Sequence, residues 1–235
     1  MPPHLPLTLI VAATSHLGIG RSGGLPWRLK AEMAYFAQTT KRVYPPPSEG
    51  SQASNVVIMG RKTWASIPPK FRPLGDRVNI VITRDPQGFT NSHPPTSVWG
   101  PHAVASLDEG LELLRSEKVG VDVDRVFIIG GAEVYRLAFG YPGAKRVLLT
   151  EVRKLSEAEN REEGGKDGFE CDTFLQEFRL EGQGWQRRAH EDLCAFVGDD
   201  VPSGVQVEGG VGFEYQLWEK EVKGVDSTRE GLLPY

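Results

Sequence analysis

Hydrophobic residues fall in short runs along the chain, and stretches with helical spacing lie between them. The runs Leu7–Ala13, Val56–Met59, Val78–Ile82, Val126–Ile129 and Val147–Thr150 are rich in Val, Ile and Leu, without clean alternation with polar residues. A strand reads this way when both of its faces are covered. Helical patterns fall over Leu29–Ala37, Thr63–Ser66, Leu107–Arg115 and Ala132–Phe139. Strands alternating with helices predict an α/β fold with a mostly parallel sheet flanked by helices. Phe213–Trp218 is different. Phe213, Tyr215 and Leu217 alternate with Glu214 and Gln216, which predicts a half-exposed antiparallel strand near the C-terminus.

Three segments break the pattern and read as solvated loops or tails. Tyr44–Asn55 is rich in Pro and Ser, Arg153–Gly168 is charged and Gly-rich, and the stretch after Lys220 is weakly patterned. No linker is long enough to split the chain. The reading is one domain over 1–220, with a surface insertion at about 153–168, and a C-terminal tail over 221–235.

The 235 residues are 39% hydrophobic and carry a net charge of -4. That length suffices for a sizeable core. The charge balance speaks against a nucleic-acid or anionic-membrane partner, so any anion site must come from local clustering of Arg and Lys. Cys171 and Cys194 show no metal-ligand spacing and read as free thiols of a reducing compartment; no metal site is expected. The apolar N-terminal run lacks a basic start and reads as a buried strand rather than a signal peptide. No run approaches a membrane span. The expectation is a cytoplasmic protein.

Gly18-Ile19-Gly20-Arg21-Ser22-Gly23 has the G-x-G-x-x-G spacing after a strand. In a dinucleotide-binding fingerprint the last glycines open a helix. Here Gly24-Leu25-Pro26-Trp27 follows, which does not start one. The segment reads instead as a flexible loop. It is either a plain surface connection or a lid over a site at the C-terminal edge of the sheet.

Leu29, Glu32, Met33 and Phe36 fall at i, i+3, i+4 and i+7, so a helix places Glu32 beside three large apolar side chains. A carboxylate so placed titrates high unless it is paired, and such groups are candidates for catalysis; the alternative is a helix-edge residue reaching solvent. It could hold the N–H pair of a flat heterocycle through two charge-assisted hydrogen bonds.

Three strand ends read either as tight turns with solvated cations or as phosphate-binding junctions. Val56–Met59 runs into Gly60-Arg61-Lys62-Thr63, Val78–Ile82 into Thr83-Arg84, and Val126–Ile129 into Gly130-Gly131 before a helix. Helix N-termini and glycine-exposed backbone N–H groups attract phosphate, and Arg and Lys add charge. Together they suggest a dinucleotide across the sheet edge, with Arg61, Lys62 and Arg84 favouring NADPH.

These residues resemble the dihydrofolate reductases, especially the eukaryotic forms. The matching segments are Ile10-Val11-Ala12, Gly18-Ile19-Gly20, Leu25-Pro26-Trp27, Glu32 with Tyr35-Phe36, and Val57-Ile58-Met59-Gly60-Arg61-Lys62-Thr63-Trp64. They continue with Ser66-Ile67-Pro68, Arg72-Pro73-Leu74, Arg77-Val78-Asn79-Ile80-Val81, Ile129-Gly130-Gly131 with Val134-Tyr135, and Asp172-Thr173-Phe174. The resemblance covers nearly the whole chain up to Lys220. It implies a monomeric enzyme with an eight-stranded, mostly parallel sheet, reducing dihydrofolate with NADPH and inhibited by antifolates. It implies that Glu32 binds the pterin, that Thr150 hydrogen-bonds Glu32, and that Trp27 holds an ordered water nearby. Ile10, Val11, Met33, Phe36, Ser66, Ile67, Leu74 and Ile129 would line the pocket, and Arg77 would clamp the substrate's α-carboxylate. Ala12 and the loop Ile19–Leu25 (with Arg21, Ser22, Gly23 and Gly24) would lie near the nicotinamide. Arg61, Lys62, Thr63, Thr83 and Arg84 would hold the phosphates and adenosine side, and Gly130, Gly131, Ala132, Glu133, Val134 and Tyr135 the pyrophosphate. Two rivals stand beside this reading: another NADPH reductase on the same scaffold, such as a pyrimidine reductase, which has no need of the Glu32/Arg77 pair, and a non-catalytic pterin- or nucleotide-binding protein.

Overall fold

A computed structural model gives the fold and describes residues 4–44, 46, 53–116, 118–155, 168–175, 180 and 184–221. The elements run β1 (Leu7–Thr14), β2 (Gly18–Gly20), α1 (Lys30–Lys41), β3 (Ala53–Gly60), α2 (Arg61–Ser66), a 3-10 turn (Pro69–Phe71), β4 (Arg77–Ile82), α3 (Pro86–Ser92) and β5 (His102–Val104). They continue with α4 (Leu107–Arg115), β6 (Asp122–Ile128), α5 (Ala132–Phe139), β7 (Ala144–Lys154), β8 (Thr173–Phe174), β9 (Trp185–Arg187), α6 (His190–Val197), β10 (Gln206–Glu208) and β11 (Val211–Lys220). Most of the insertion, 156–167, and the tail, 222–235, lie outside the described residues.

The eight expected strands form one path, β10-β11-β7-β1-β6-β3-β4-β5, and the short β9 joins it by pairing with β11. β1, β3, β4, β5, β6 and β7 are mutually parallel. β11 lies antiparallel to β7, with Tyr215 opposite Thr150. Each apolar run of the sequence coincides with a buried strand, except that Ile129 lies one residue past the end of β6.

The sheet separates two apolar layers. One holds Leu9, Val11 and Ala13 of β1 with residues of α4 and α5; the other holds Ile10 and Ala12 with Trp27, Phe36, Ile67, Leu74, Phe127, Ile129 and Leu148. The two-residue period of a strand makes this division. It corrects one expectation: Val11 cannot share a side-chain pocket with Ile10, because its side chain points through the opposite face. Because the six parallel strands run the same way, the ends of β1, β3, β4 and β6 open onto one edge of the sheet, as in other open α/β folds.

Candidate active site

Helix α1 crosses this edge on the Ile10 face. The sequence places its start at Leu29 and its end at Ala37; the helix runs from Lys30 to Lys41, with Leu29 as N-cap. Two further threonines therefore join the inner stripe. The buried residues of α1 are Glu32, Thr39 and Thr40. Met33 departs from the expected stripe. It is 51% exposed, one residue round the helix from Glu32, and sits on the stripe's outer edge.

Glu32 is 7% exposed. Burial raises its pKa from 4.5 to about 7, with no compensating cation or hydrogen bond. Thr150 is buried on β7 but makes no hydrogen bond to Glu32, contrary to the expectation. Trp27 is also buried and packs edge-on against Phe169, ring centres 5.2 Å apart. Its indole N–H is enclosed without a protein acceptor among the described residues. Tyr215 packs on Tyr35, ring centres 4.2 Å apart and planes tilted by 35°. Its own pKa is raised to about 12, first by burial and then by Glu32 and Glu208.

Arg77 opens β4 and is 3% exposed. Its Nη1 donates to Thr40 Oγ1 at 2.7 Å and its Nε to the Gly75 carbonyl at 3.0 Å. No carboxylate pairs with it among the described residues, and burial lowers its pKa to about 10. A buried cation without an anion is costly, so the arrangement favours an anionic ligand. Glu32 and Thr40 lie eight residues apart on α1, about 12 Å along the axis. One helix thus spaces a proton-holding carboxyl from an anion-seeking guanidinium. Leu74 is pinned by Asn79, whose amide exchanges two hydrogen bonds with the Leu74 backbone at 2.9 Å.

Two of the three glycine-bearing or basic strand ends meet. The Gly60 N–H donates to the Gly130 carbonyl at 2.8 Å, joining the ends of β3 and β6. A Cβ on Gly131 would lie 3.4 Å from Thr63 Oγ1, and one on Gly60 would lie 3.2 Å from Val134 Cγ2. Glycine therefore lets these backbones approach closely. Gly131 caps α5 with no side-chain acceptor, leaving that helix end's N–H groups free of a side-chain partner. Arg61, Lys62 and Arg84 are exposed around this cradle. The side chains of Val134 and Tyr135 face the core. The Tyr135 hydroxyl donates to the Ile10 carbonyl at 2.7 Å. Thr83 is buried too, its hydroxyl accepting from the Asp85 N–H at 3.3 Å. Ser66, expected in the pocket wall, is exposed and donates to the Thr63 carbonyl.

The Gly18–Leu25 segment opens no helix, as the Gly24-Leu-Pro sequence requires. It forms β2 and a tight turn in which Arg21 and Gly24 exchange backbone hydrogen bonds. β2 pairs with β8, and Asp172 Oδ2 accepts from the Ser22 N–H at 2.7 Å. Arg21 meets Glu170 at 2.6 Å. Ile19 faces the far apolar layer rather than the cleft. Residues 169–174 therefore hold the loop and Trp27 together.

A sequence model described as dihydrofolate reductase matches residues 6–192. The chain belongs to the dihydrofolate reductase family. It is 38% identical to the dihydrofolate reductase of Pneumocystis carinii, over 92% of this chain and 97% of that one. It is 40% identical to that of Sus scrofa, over 92% and 98%. Among solved structures, Schistosoma mansoni dihydrofolate reductase superposes with a TM-score of 0.68 at 31% identity, covering 93% of this chain and all of that one.

The family's sequence pattern does not announce Thr40, Phe169 or Glu208, which the fold brings to the site. Thr40 had a signal: it lies eight positions from Glu32 and so continues the same helical stripe. Glu208 had none, because only the β10–β11 hairpin carries it to α1.

Proposed function

We propose that this chain reduces 7,8-dihydrofolate to 5,6,7,8-tetrahydrofolate with NADPH as hydride donor. The observation that carries the reading is a buried acid, Glu32, near the start of α1 and a buried cation, Arg77, bonded to Thr40 near the end of the same helix. A pterin bears an N–H pair for a carboxylate at one end of the substrate, and a glutamate carboxylate waits at the other. A pyrimidine-type reductase would leave the buried Arg77 without an anion.

In this reading Glu32 binds the pterin's ring N–H and 2-amino group through two charge-assisted hydrogen bonds. Its pKa near neutrality suits a group that holds and relays a proton at working pH. Ile10, Phe36, Ile67, Leu74 and Ile129 exclude water and strengthen the electrostatic effect of Glu32 on the ring. Trp27 offers its indole N–H beside the acid. Arg77 fixes the tail, which sets the position of the ring. One C=N bond is reduced: hydride adds at C6 and a proton at N5, leaving an N–H.

The cofactor cradle fits a dinucleotide pyrophosphate. Gly60, Gly130 and Gly131 expose backbone, the α5 N-terminus supplies N–H groups, and Arg61, Lys62 and Arg84 suit an additional phosphate. NADPH supplies the hydride when bound there. The loop 18–25, fastened through Ser22 and Arg21, is placed to close over the cleft. The test is direct. Adding dihydrofolate to purified protein with NADPH should bleach the reduced-nicotinamide absorbance at a rate proportional to protein and blocked by a folate analogue. No loss of absorbance would refute the assignment.

A further inference from the structure

Helix α1 supplies no cap for itself. Leu29 at the N-cap has no side-chain acceptor, so the first N–H groups of the helix need partners from elsewhere. They find one in Glu208, 178 positions away at the end of β10. Glu208 Oε1 accepts from the Lys30 N–H at 2.8 Å and Oε2 from the Ala31 N–H at 3.0 Å. One carboxylate closes the first two positions of the helix, and Glu32 occupies the third.

Those two backbone donors hold Glu208 below the ordinary carboxylate range, so it is anionic across the working pH. A helix N-terminus carries positive partial charge that favours an anion in the first turn. Here that end already faces a full negative charge. Glu32, the next residue of the same turn, titrates high through burial. Among the described residues, the titratable groups facing Glu32 from the packed elements are the phenols Tyr35 on α1, Tyr135 on α5 and Tyr215 on β11, all pushed upward and neutral at working pH. Glu208 on β10 and Lys30 on α1 are the charged groups at the helix end. Both Glu32 and Glu208 raise the Tyr215 pKa, after burial.

We propose that Glu208 is a positioning residue for Glu32: it fixes the first turn of α1 against the β10–β11 hairpin and offsets the positive helix end that would otherwise stabilise the Glu32 anion. The inference rests on Glu32 being the pocket acid. The experiment titrates the Glu32 carboxyl carbon by NMR in protein carrying 13C-labelled glutamate, assigned by its loss in Glu32→Gln. Wild type is compared with Glu208→Ala and Glu208→Gln, alongside pH–rate profiles and melting curves. Both variants should move the Glu32 midpoint down by about 0.2–0.7 pH unit, the size of a helix-end charge effect. Glu208→Gln keeps one acceptor and should melt closer to wild type than Glu208→Ala. An unmoved Glu32 midpoint in both variants, whatever the melting temperature, overturns the proposal and leaves Glu208 a plain cap. A moved midpoint with an unmoved pH–rate profile upholds the coupling and refutes instead the role of Glu32 in turnover.

Discussion

The Arg77 guanidinium donates to Thr40 Oγ1 at 2.7 Å, tying the start of β4 to the C-terminal end of the helix that carries Glu32. Thr40 Oγ1 in turn donates to the Phe36 carbonyl at 2.7 Å. The guanidinium is thus held in place by neutral partners and keeps its charge for a ligand.

Arg77→Leu should weaken dihydrofolate binding by about 2–5 kcal/mol, the cost of truncating one side of a buried charged pair. Affinity for a dihydropterin lacking the glutamate should hardly change. The two dissociation constants, measured by fluorescence quenching, check this. Equal losses for both compounds would remove Arg77 from tail recognition.

Glu32→Gln should keep the fold and lose most turnover at neutral pH. The sign of its stability effect follows from the raised pKa. The folded state holds the Glu32 proton up to about 7, whereas the ordinary value is 4.5. Folding is therefore penalised progressively as pH rises through that window, and fully above it. The apo variant should match wild type near pH 4 and exceed it by up to about 3 kcal/mol above pH 7. Urea unfolding across pH measures the difference, and a pH-independent gap would contradict the burial argument.

Tyr135→Phe removes the hydroxyl that satisfies the Ile10 carbonyl in the core. The cost should be about 1–3 kcal/mol of stability, the penalty for a buried acceptor left alone. Because Ile10 lies on the cleft side of β1, the KM for dihydrofolate should rise while the cofactor KM moves less. Denaturant midpoints and the two KM values test this. An unchanged midpoint would mean that the carbonyl finds another donor.

Gly130→Ala addresses the cofactor cradle. Gly130 has φ +105°, and a Cβ there would lie 2.9 Å from the Tyr135 ring. An L residue is strained at that φ, by about 1–3 kcal/mol. NADPH affinity should fall at least tenfold, because the loop must shift to relieve the clash. Titration of nicotinamide fluorescence reports the affinity, and wild-type binding would show that the cradle lies elsewhere.

The chain's local chemistry was legible where it follows from periodicity. The unbroken Val/Ile/Leu runs marked the buried parallel strands, and the alternation at Phe213–Trp218 marked the antiparallel one. Glycine followed by Leu-Pro excluded a helix after Gly24. The i, i+3 spacing placed Glu32 inward, because a helix turns 100° per residue whatever it packs against. Strand period puts Ile10 and Val11 on opposite faces, but only the packed layers show that Ile10 is the one on the α1 side.

What tertiary structure decided depends on contacts far apart in sequence. Burial gave Glu32 its raised pKa. The α1–β4 seam gave Arg77 the Thr40 hydroxyl in place of a carboxylate. The packing of α5 on β1 gave the Tyr135 hydroxyl the Ile10 carbonyl as its acceptor. Glu208 reached the α1 N-terminus only because the last hairpin folds back across the sheet. Periodicity fixes which way a side chain points along its own element; which partner meets it there is set by how the elements pack, and no local pattern encodes that.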